Sequence, residues 1–386
     1  MSSTPEITSI VIENGTHTTR AGFSTETLPS LEFPTVYSTE STSDPENPKY
    51  LFDDDIKPEN EVFTIVNEGV VYNWKALEQS WAYIFAKLKV DPKEFPLVIT
   101  EELWNNKKNR VKLAELAFVK FGVPVFTILK SPIAITYGLG RSTSLVVDIG
   151  SSRASVTPIL DGTILYKGAA HSKFAGDFLN VHTLKFLENS TNFDYVKGSE
   201  SYKVFQTNKL LTDFKSTINS VSTYPIVNSN ADFQISPKNY QLPDSKTIEV
   251  RKEQVLLSEP LFHPLSYPIP GIELPKDSVG LTDLILSALK KLDVTQDIYA
   301  SLLNNIILTG GTSLLPGLET RLISDLSRFL TTFGVQSFSN PTLSERSNAT
   351  WIGASVLASM NSFENHYISK EDFEEQGEAI VDEKLK

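Results

Sequence analysis

The stretch LVVDIGSSRASVTPI, Leu145 to Ile159, carries the pattern that decides the fold. An apolar, β-branched run ends at Asp148, Gly150 follows two positions later, hydroxyl residues come next, and a second strand-like run closes the segment. This pattern predicts a β-hairpin with a glycine-containing turn. A related stretch, IVIENGTHTTRAGF, spans Ile10 to Phe23. Two such hairpins in corresponding places of the two halves predict a duplicated domain.

Strand and helix signals alternate around these hairpins. Asn73 is positioned to cap a helix over NWKALEQSWAYIFAKL, and a strand is predicted at Pro96 to Thr100. A further helix is predicted around Val111 to Lys120, and Ser369 with Asp372 reads as the capping box of a last helix. Alternation of this kind predicts an α/β protein.

Composition narrows the range of functions for the 386 residues. The chain has 47 acidic and 35 basic residues, a formal net charge of −12, which argues against direct nucleic-acid binding because that needs a basic face. It has no cysteine, so a disulfide framework, a thiolate zinc site and a thiol nucleophile are excluded. The five histidines show no metal-ligand spacing, and no nucleophile elbow of a serine hydrolase is present.

The first hairpin turn is a candidate phosphate site. Gly15 lets backbone N–H groups approach a phosphate, and Asn14 and Thr16 flank it with polar side chains. Arg20, on the returning strand, is placed to reach a β-phosphate. The alternative is an ordinary hairpin with a solvated arginine.

The second hairpin turn is a candidate of the same kind. Asp148 is placed to hold a metal ion through its waters, and the backbone of Gly150, Ser151 and Ser152 is placed to cradle phosphate. The alternative is a plain turn, in which Asp, Gly and Ser are the expected residues.

A third turn, Gly310, Gly311 and Thr312, follows a buried strand and precedes a helix. Two glycines there let a flat ligand lie against backbone at a helix N-terminus. The alternative is a tightly packed strand-to-helix loop.

Taken in order along the chain, these segments resemble the actin family. The matching stretches are NGTHTTRAGF, YNWKALEQSW, VVDIGSSRASVTPI, YQLPDSKTIEV with SEPLFHP, ILTGGTSLLPGLETRL, WIGASVLASM and ISKEDFEEQG. The resemblance implies two α/β domains with RNase H-like cores and inserted subdomains around a nucleotide cleft. The expected boundaries are 1–140 for the first domain (its second subdomain at about 34–72), 141–335 for the second (its fourth subdomain at about 178–262), and 336–386 for a segment returning to the first.

The resemblance adds Gly176, Lys215 and Leu315 to the nucleotide-binding candidates, with ATP and Mg²⁺ as the implied cofactor. Leu315 stands where an aromatic ring would stack on adenine, and Ser216 where a ribose-binding glutamate would lie. No direct metal ligand is implied, because Asp148 acts through water. Weak or partner-dependent nucleotide binding is therefore expected.

Departures from the family pattern bear on catalysis. Ser131 and Ser155 stand where actin has the glutamine and the histidine that orient its attacking water. Glu13 and His17 replace an aspartate and a glycine of the first turn, and Arg153 an apolar residue of the second. Because a serine offers neither a basic nitrogen nor a reaching amide, we expect no catalytic residue and at most a pseudo-ATPase.

Within the family, NGTHTTRAGFSTETLP, VYNWKALEQSW and SKFAGDFL resemble the fungal actin-related protein 7 group of SWI/SNF-type and RSC-type chromatin remodellers. This implies a nuclear, non-polymerising subunit that pairs with an actin-related protein 9-like partner and binds the helicase–SANT-associated helix of a remodeller ATPase. Ser38 to Tyr50 is expected to be a solvated loop that does not support a homopolymer. The positions implied for the helix groove are Tyr137, Gly140, Ser142, Leu357 and Met360. Alternatives are an ATP-hydrolysing, filament-forming actin, an Hsp70-like or sugar-kinase-like ATPase, and a cytoplasmic actin-related protein of a dynactin-like assembly.

Overall fold

A computed structural model describes residues 8–40, 48–191, 193–226 and 235–385. The chain forms two compact units: unit 1 is Met1–Arg141 with Asn348–Lys386, and unit 2 is Ser142–Ser347. Unit 2 is therefore inserted into unit 1 along the sequence.

Strands and helices alternate through the described ranges. The strands are β1 Ile10–Asn14, β2 Thr18–Phe23, β3 Leu31–Pro34, β4 Val36–Glu40, β5 Lys49–Leu51, β6 Val62–Thr64, β7 Val66–Asn67, β8 Val70–Val71, β9 Leu97–Glu101, β10 Val125–Lys130, β11 Ser144–Ile149, β12 Ala154–Leu160, β13 Thr163–Ile164, β14 Ala170–Ser172, β15 Lys238–Gln241, β16 Thr247–Val250, β17 Ile306–Thr309 and β18 Ile368–Ser369. The helices are α1 Trp74–Leu88, α2 Lys107–Glu115, α3 Ser131–Gly138, α4 Gly176–Leu187, α5 Glu200–Ile218, α6 Glu253–Leu256, α7 Leu281–Lys290, α8 Gln296–Leu303, α9 Leu318–Phe329, α10 Leu343–Ser347, α11 Ala349–Ala358, α12 Lys370–Gln376 and α13 Glu378–Lys384.

Unit 1 is built on a mixed sheet in the order β18-β10-β9-β1-β2-β3. The hairpin β1–β2 is antiparallel, and β1 pairs in parallel with β9 through Ile10 and Leu97. Successive residues of β1 enter two different apolar clusters: Ile10 and Ile12 lie in one, and Val11 in the other. The central strands are thus buried on both faces, as parallel strands between helical layers are.

Helix α1 forms as its sequence predicts. The Asn73 side chain accepts a hydrogen bond from the Ala76 N–H, 2.9 Å, and caps the first turn. The apolar stripe faces the core, with Leu77 and Trp81 fully buried. On the other side of the sheet α3 packs closely on α11, where a Cβ added to Gly353 would lie 1.9 Å from the Ala134 carbonyl oxygen. Only glycine permits this approach.

Unit 2 repeats the pattern of unit 1. Its sheet runs β13-β12-β11-β17, with β14 also paired to β12. The hairpin β11–β12 is antiparallel and β11 pairs in parallel with β17, as β1 pairs with β9. The predicted hairpins of both halves are therefore confirmed, and each stands next to a parallel strand.

The segment that returns to unit 1 begins later than expected. Its expected start was 336, whereas the unit boundary lies at Asn348. Residues 337–346 stay with unit 2 because they bond to β17: the Phe338 N–H donates to the Ile306 carbonyl, 2.6 Å, and the Thr309 hydroxyl donates to the Arg346 carbonyl, 2.9 Å.

The prediction that Ser38 to Tyr50 is a loop was wrong at both of its ends. Ser38–Glu40 belongs to β4 and Lys49–Tyr50 to β5, and the two strands pair antiparallel, with Thr39 opposite Tyr50 and Glu40 opposite Lys49. β-Branched, aromatic and oppositely charged cross-strand neighbours stabilise such a pair. Residues 41–47 lie outside the described part of the chain.

Two further helices can be compared with the bounds that the sequence predicts. The helix expected around Val111–Lys120 begins earlier, at Lys107, and ends in a wider π-type turn, Leu116–Phe121. The Ser369 capping box is confirmed, because both of its reciprocal hydrogen bonds with Asp372 are present.

In the described ranges, no helix combines the length and the apolar character needed to cross a membrane.

Candidate nucleotide-binding site

The turn of the first hairpin is held by side chains of unit 1. The Gly15 N–H donates to the Thr18 carbonyl, 3.1 Å, and closes the turn. The Asn14 amide oxygen accepts from the Trp81 indole N–H, 3.1 Å. The Thr16 hydroxyl accepts from the Gly69 N–H, 2.8 Å. The two predicted polar groups of this turn therefore also fasten it to α1 and to the β7–β8 hairpin.

Arg20 lies among carboxylates. Its guanidinium is 3.3 Å from a Glu13 carboxylate oxygen and 3.7 Å from one of Glu32. Burial raises the pKa of Glu13, while the charge of Arg20 acts in the opposite direction. A phosphate would have to compete with both carboxylates for this arginine. His17, expected to hinder phosphate approach, is exposed, and its Nδ1 lies 3.0 Å from the Thr18 hydroxyl.

The turn of the second hairpin is bonded to two other segments of unit 2. The Gly150 carbonyl accepts from the Thr312 hydroxyl, 2.7 Å, and from the Gly176 N–H, 3.1 Å. The Ser151 carbonyl accepts from the Asp177 N–H, 2.7 Å. Four of the predicted residues, from segments far apart in sequence, thus meet at one place.

Glycines make this meeting possible. Gly310 has φ +86°, and a Cβ there would lie 2.3 Å from a carboxylate oxygen of Asp148. A Cβ on Gly176 would lie 2.5 Å from the Thr312 hydroxyl. A Cβ on Gly311, by contrast, would meet no atom within 4 Å, so backbone at this turn borders open space. The third predicted turn is therefore both tightly packed, at Gly310, and accessible, at Gly311.

Lys215 extends from α5 into the same cluster. Its Nζ donates to the Gly176 carbonyl, 3.1 Å, and to the Asn180 amide oxygen, 3.0 Å. Burial lowers the pKa of Lys215 to about 8, against the opposing charge of Asp177. Asn180 was not predicted. Its place four residues after Gly176, on the same face of α4, is the signal that could have found it.

The remaining nucleotide candidates differ in exposure. Leu315 is only 5% exposed and packs in the main apolar core of unit 2. Ser216 is exposed, and its hydroxyl donates to the Asp213 carbonyl, 2.9 Å. Ser152 lies half-buried beside Ser151. A role for Leu315 in contacting adenine stays a prediction.

The two serines predicted to stand at the water-orienting positions are built into the framework. Ser131 is buried at the start of α3, and its hydroxyl donates to the Glu101 carbonyl, 3.0 Å. Ser155 is buried on β12, directly opposite Asp148 on β11. Glu101, which the sequence reasoning missed, also pairs with Arg110 and Lys130. Neither serine can serve as a base of the strength a histidine offers.

The positions implied for a partner helix divide between the units. Tyr137, Gly140, Leu357 and Met360 belong to unit 1, and Ser142 to unit 2. Leu357 faces inward, 9% exposed, whereas Met360 is 43% exposed. Val356, in the last turn of α11 and four residues before Met360, is also exposed and was not predicted. The solvent-facing apolar residues of this helix end are therefore Val356 and Met360.

The paired hairpins, each beside a parallel strand, match a known family over nearly the whole chain. A family model described as Actin covers residues 4–386. The chain belongs to the actin family. The predicted resemblance to that family and the α/β, actin-like fold are thereby confirmed.

Individual relatives match along nearly their whole lengths. SWI/SNF and RSC complexes subunit arp42 of Schizosaccharomyces pombe is 32% identical, over 96% of this chain and 97% of that protein. Actin-related protein 7 of Saccharomyces cerevisiae is 30% identical over 95% of each chain. Actin-related protein 4 of Yarrowia lipolytica is also 30% identical, over 98% of this chain and 96% of that protein. The likeness to actin-related protein 7 is thus confirmed, and an actin-related protein 4 matches equally well.

Two observations test the fit of the family's nucleotide to this chain. The buried ammonium of Lys215 and the open backbone at Gly311 fit an anionic ligand with a flat base. The described residues contain no group of three or more Asp, Glu or His side chains that could hold a metal ion by themselves. Lys215 and the backbone at Gly311 are therefore compatible with a bound nucleotide.

Proposed function

We propose that this chain is a non-catalytic, actin-related subunit of a nuclear, ATP-dependent chromatin-remodelling complex. In this role it binds a helix of the remodeller ATPase together with a second, actin-related protein 9-like partner. Two observations support the proposal: a relative of nearly equal length is named as a SWI/SNF and RSC complexes subunit, and serines stand at positions 131 and 155, where the resemblance to actin implies the water-orienting groups.

The proposal that the chain is non-catalytic depends on the contact of Ser131 with Glu101. The Ser131 hydroxyl donates a hydrogen bond to the Glu101 carbonyl, 3.0 Å away within unit 1. General acid–base groups contribute about 100-fold or more each to a rate. With both such groups replaced, we expect ATP turnover several orders of magnitude below that of an active actin.

Nucleotide binding is proposed to be weak or partner-dependent, with ATP accompanied by Mg²⁺. When bound, the nucleotide supplies phosphate charge and an apolar base. Lys215 and the backbone from Gly150 to Ser152 would hold the phosphates, Gly311 would border the base, and Asp148 would act on Mg²⁺ only through water. At the first hairpin, Arg20 is shared with Glu13 and Glu32, which lowers its availability to phosphate.

The surface proposed for the remodeller helix is the exposed end of α11 with Tyr137 and Gly140 beside it. Val356, in the last turn of α11, and Met360, two residues after the helix ends, are both exposed. An amphipathic helix binds such a surface through apolar side chains at helical spacing. Leu357 supports these residues from the core instead of forming the contact.

The direct test is affinity purification from nuclear extract with identification of the co-purifying chains. A remodeller ATPase and a second actin-related protein are expected with wild type and are expected to be lost with Val356→Asp/Met360→Asp. Val119→Asp is the matched control, because Val119 is exposed and lies on another helical segment of unit 1. Recovery of dynactin-like cytoplasmic partners in place of the remodeller would contradict the proposal.

Enzymatic activity is tested by phosphate release from ATP. We expect no turnover above a buffer control. Turnover at the rate of a conventional actin, present in wild type and abolished by Asp148→Ala, would overturn the non-catalytic assignment.

Calorimetry with and without the partner complex tests nucleotide binding. Wild type is expected to bind ATP with Mg²⁺ weakly alone or only in the complex, and Lys215→Met is expected to bind less in the same state. Absence of binding in both states would refute the proposed nucleotide binding, but not the proposed role in a remodelling complex.

A further inference from the structure

A row of aromatic rings crosses the small sheet β5-β4-β6 of unit 1. Tyr37 on β4 lies between Tyr50 on β5, ring centroids 5.4 Å apart, and Phe63 on β6, 5.5 Å apart. The Tyr37 hydroxyl accepts from the Asn73 amide, 2.8 Å, next to Tyr72. We call Tyr37, Tyr50, Phe63 and Tyr72 the aromatic row.

Two rings of the aromatic row are exposed to solvent. Phe63 is 47% exposed and Tyr72 is 71% exposed, although Tyr37 behind them is buried. Phe63 contacts the Tyr37 ring and Tyr72 precedes the residue that bonds its hydroxyl, and exposed apolar patches on a monomer surface mark interaction sites. Their faces are rich in π-electron density and attract cations.

The segment from residue 48 to residue 72, which carries three of the four rings, is rich in acidic residues. Between 48 and 72 the sequence has six acidic and two basic residues. Both lysines, Lys49 and Lys57, pair with Glu40. Asp54, Asp55, Glu59 and Glu61, called the acidic rim, are all exposed.

The end of the acidic rim is fixed beside the aromatic row. The Asn60 amide donates to the Thr39 carbonyl of β4, 3.1 Å, which holds the segment carrying Glu59 and Glu61 against the same strand as Tyr37. Residues two positions apart in an extended segment lie on the same face, so Glu61, just before β6, and Phe63 are expected on the same face of the sheet.

We propose that the aromatic row and the acidic rim form a docking surface for an extended, lysine- and arginine-rich segment of a partner protein. Cationic side chains would lie on Phe63 and Tyr72 and pair with Glu59 and Glu61. The surface is distinct from the α11 surface, because it is built on a different sheet, so it is independent of the remodeller-helix proposal. The net negative charge excludes a polyanion such as nucleic acid as the occupant.

The test uses a fluorescently labelled peptide of alternating arginine, lysine and glycine, with fluorescence anisotropy as the readout and the full chain as the binder. Wild type is expected to bind it, and a peptide with glutamate in place of each cation is expected not to bind. A cation–π contact at an exposed site contributes about 0.5–1 kcal/mol, so Phe63→Ser/Tyr72→Ser is expected to weaken binding about fivefold or more.

Two matched controls separate this surface from general charge attraction. Glu59→Gln/Glu61→Gln is compared with Glu374→Gln/Glu375→Gln, which removes the same charge from the exposed face of α12. Phe63→Ser/Tyr72→Ser is compared with Tyr166→Ser, an exposed aromatic of unit 2. Circular dichroism melts establish that each variant is folded. Equal weakening by both glutamate pairs, or unchanged binding by the aromatic variant, would overturn the proposal.

Discussion

At the scale of single residues, polar side chains of the candidate site are satisfied by the protein itself. Thr312 and Gly176 share the Gly150 carbonyl, and Lys215 donates to two oxygens of α4. A buried polar group that keeps its hydrogen bonds avoids the desolvation cost of being unpaired. The cluster is thus compatible with an empty and with an occupied site.

Replacing Ser131 by alanine tests its structural role. The variant loses the hydrogen bond to the Glu101 carbonyl, so the free energy of unfolding is expected to fall by about 1 kcal/mol, with no change in ATP turnover. Urea unfolding and phosphate release measure the two quantities. Ser216→Ala, at an exposed serine, is the control and is expected to change stability less. An unfolding free energy equal to that of wild type would show that the Ser131–Glu101 hydrogen bond does not stabilise unit 1.

His182 gives unit 2 a pH-dependent stability. Its ring packs edge-on against Phe178, centroids 4.8 Å apart, and burial lowers its pKa from 6.5 to about 4. Between these values the unfolded state binds the proton and the folded state does not, so stability falls as pH decreases from about 6.5 toward about 4.

Thermal unfolding at about pH 7 and about pH 5 measures this dependence. His182→Phe is expected to lose less stability than wild type between the two pH values, since it has no group to protonate. His366→Phe, at an exposed histidine, is the control and is expected to follow wild type. An unchanged pH dependence in His182→Phe would contradict the assignment.

At the scale of elements, a buried arginine joins helix α9 to the rest of unit 2. Arg321 is fully buried and donates to Glu259, 2.8 Å, to Asp325, 2.7 Å, and to the Ser222 carbonyl, 3.1 Å. Its guanidinium also stacks over Phe262, 4.5 Å from the ring centroid. The Arg321 side chain therefore joins α9 to the segments around Ser222 and Glu259.

Arg321→Met is expected to destabilise the protein by about 3–5 kcal/mol, because the buried Glu259 loses its counter-charge and the buried Asp325 keeps only Arg328, 3.5 Å away. The free energy of unfolding, from denaturant titration, is the measurement. Arg328→Met removes a partly exposed arginine from the same helix and is expected to cost less than about 1 kcal/mol. Similar losses in both variants would show that Arg321 is not the main connection.

At the scale of the whole molecule, charge bears on self-assembly. The net charge of −12 makes copies of the chain repel one another. Addition of Mg²⁺ and ATP is therefore expected to leave the protein in the supernatant after high-speed sedimentation, under conditions that pellet a conventional actin. A nucleotide-dependent pellet would favour the filament-forming alternative.

The sequence predicts the local features of this fold well. Both hairpins, the Asn73 cap and the Ser369 capping box depend on residues a few positions apart, so they can be recognised from the sequence. The contact of Ser131 with Glu101 spans 30 residues, and that of Thr312 with Gly150 spans 162. Such contacts follow from the pairing of strands, which the local pattern does not contain.

The orientation of a helix is the other limit on sequence reasoning. Leu357 and Met360 are both apolar and lie close together at one helix end, yet Leu357 is buried and Met360 exposed. Which side of α11 faces inward is set by its close packing on α3 at Gly353. Val356 could be recognised as a surface residue only once that packing was known.

The insertion of unit 2 into unit 1 has a consequence for biosynthesis. Unit 2 is covalently complete once residue 347 has been translated, so the ribosome can release it to fold while the remaining residues are still being added. Unit 1 folds later, because two residues that bond to its first segment are translated after unit 2: the Trp351 indole donates to the Val11 carbonyl, and the Tyr367 hydroxyl bonds to Ser9. During that interval the apolar surfaces of β1 and β9 that α11 later covers are exposed in the nascent chain. Unit 1, whose first segment is translated before unit 2, therefore finishes folding after it.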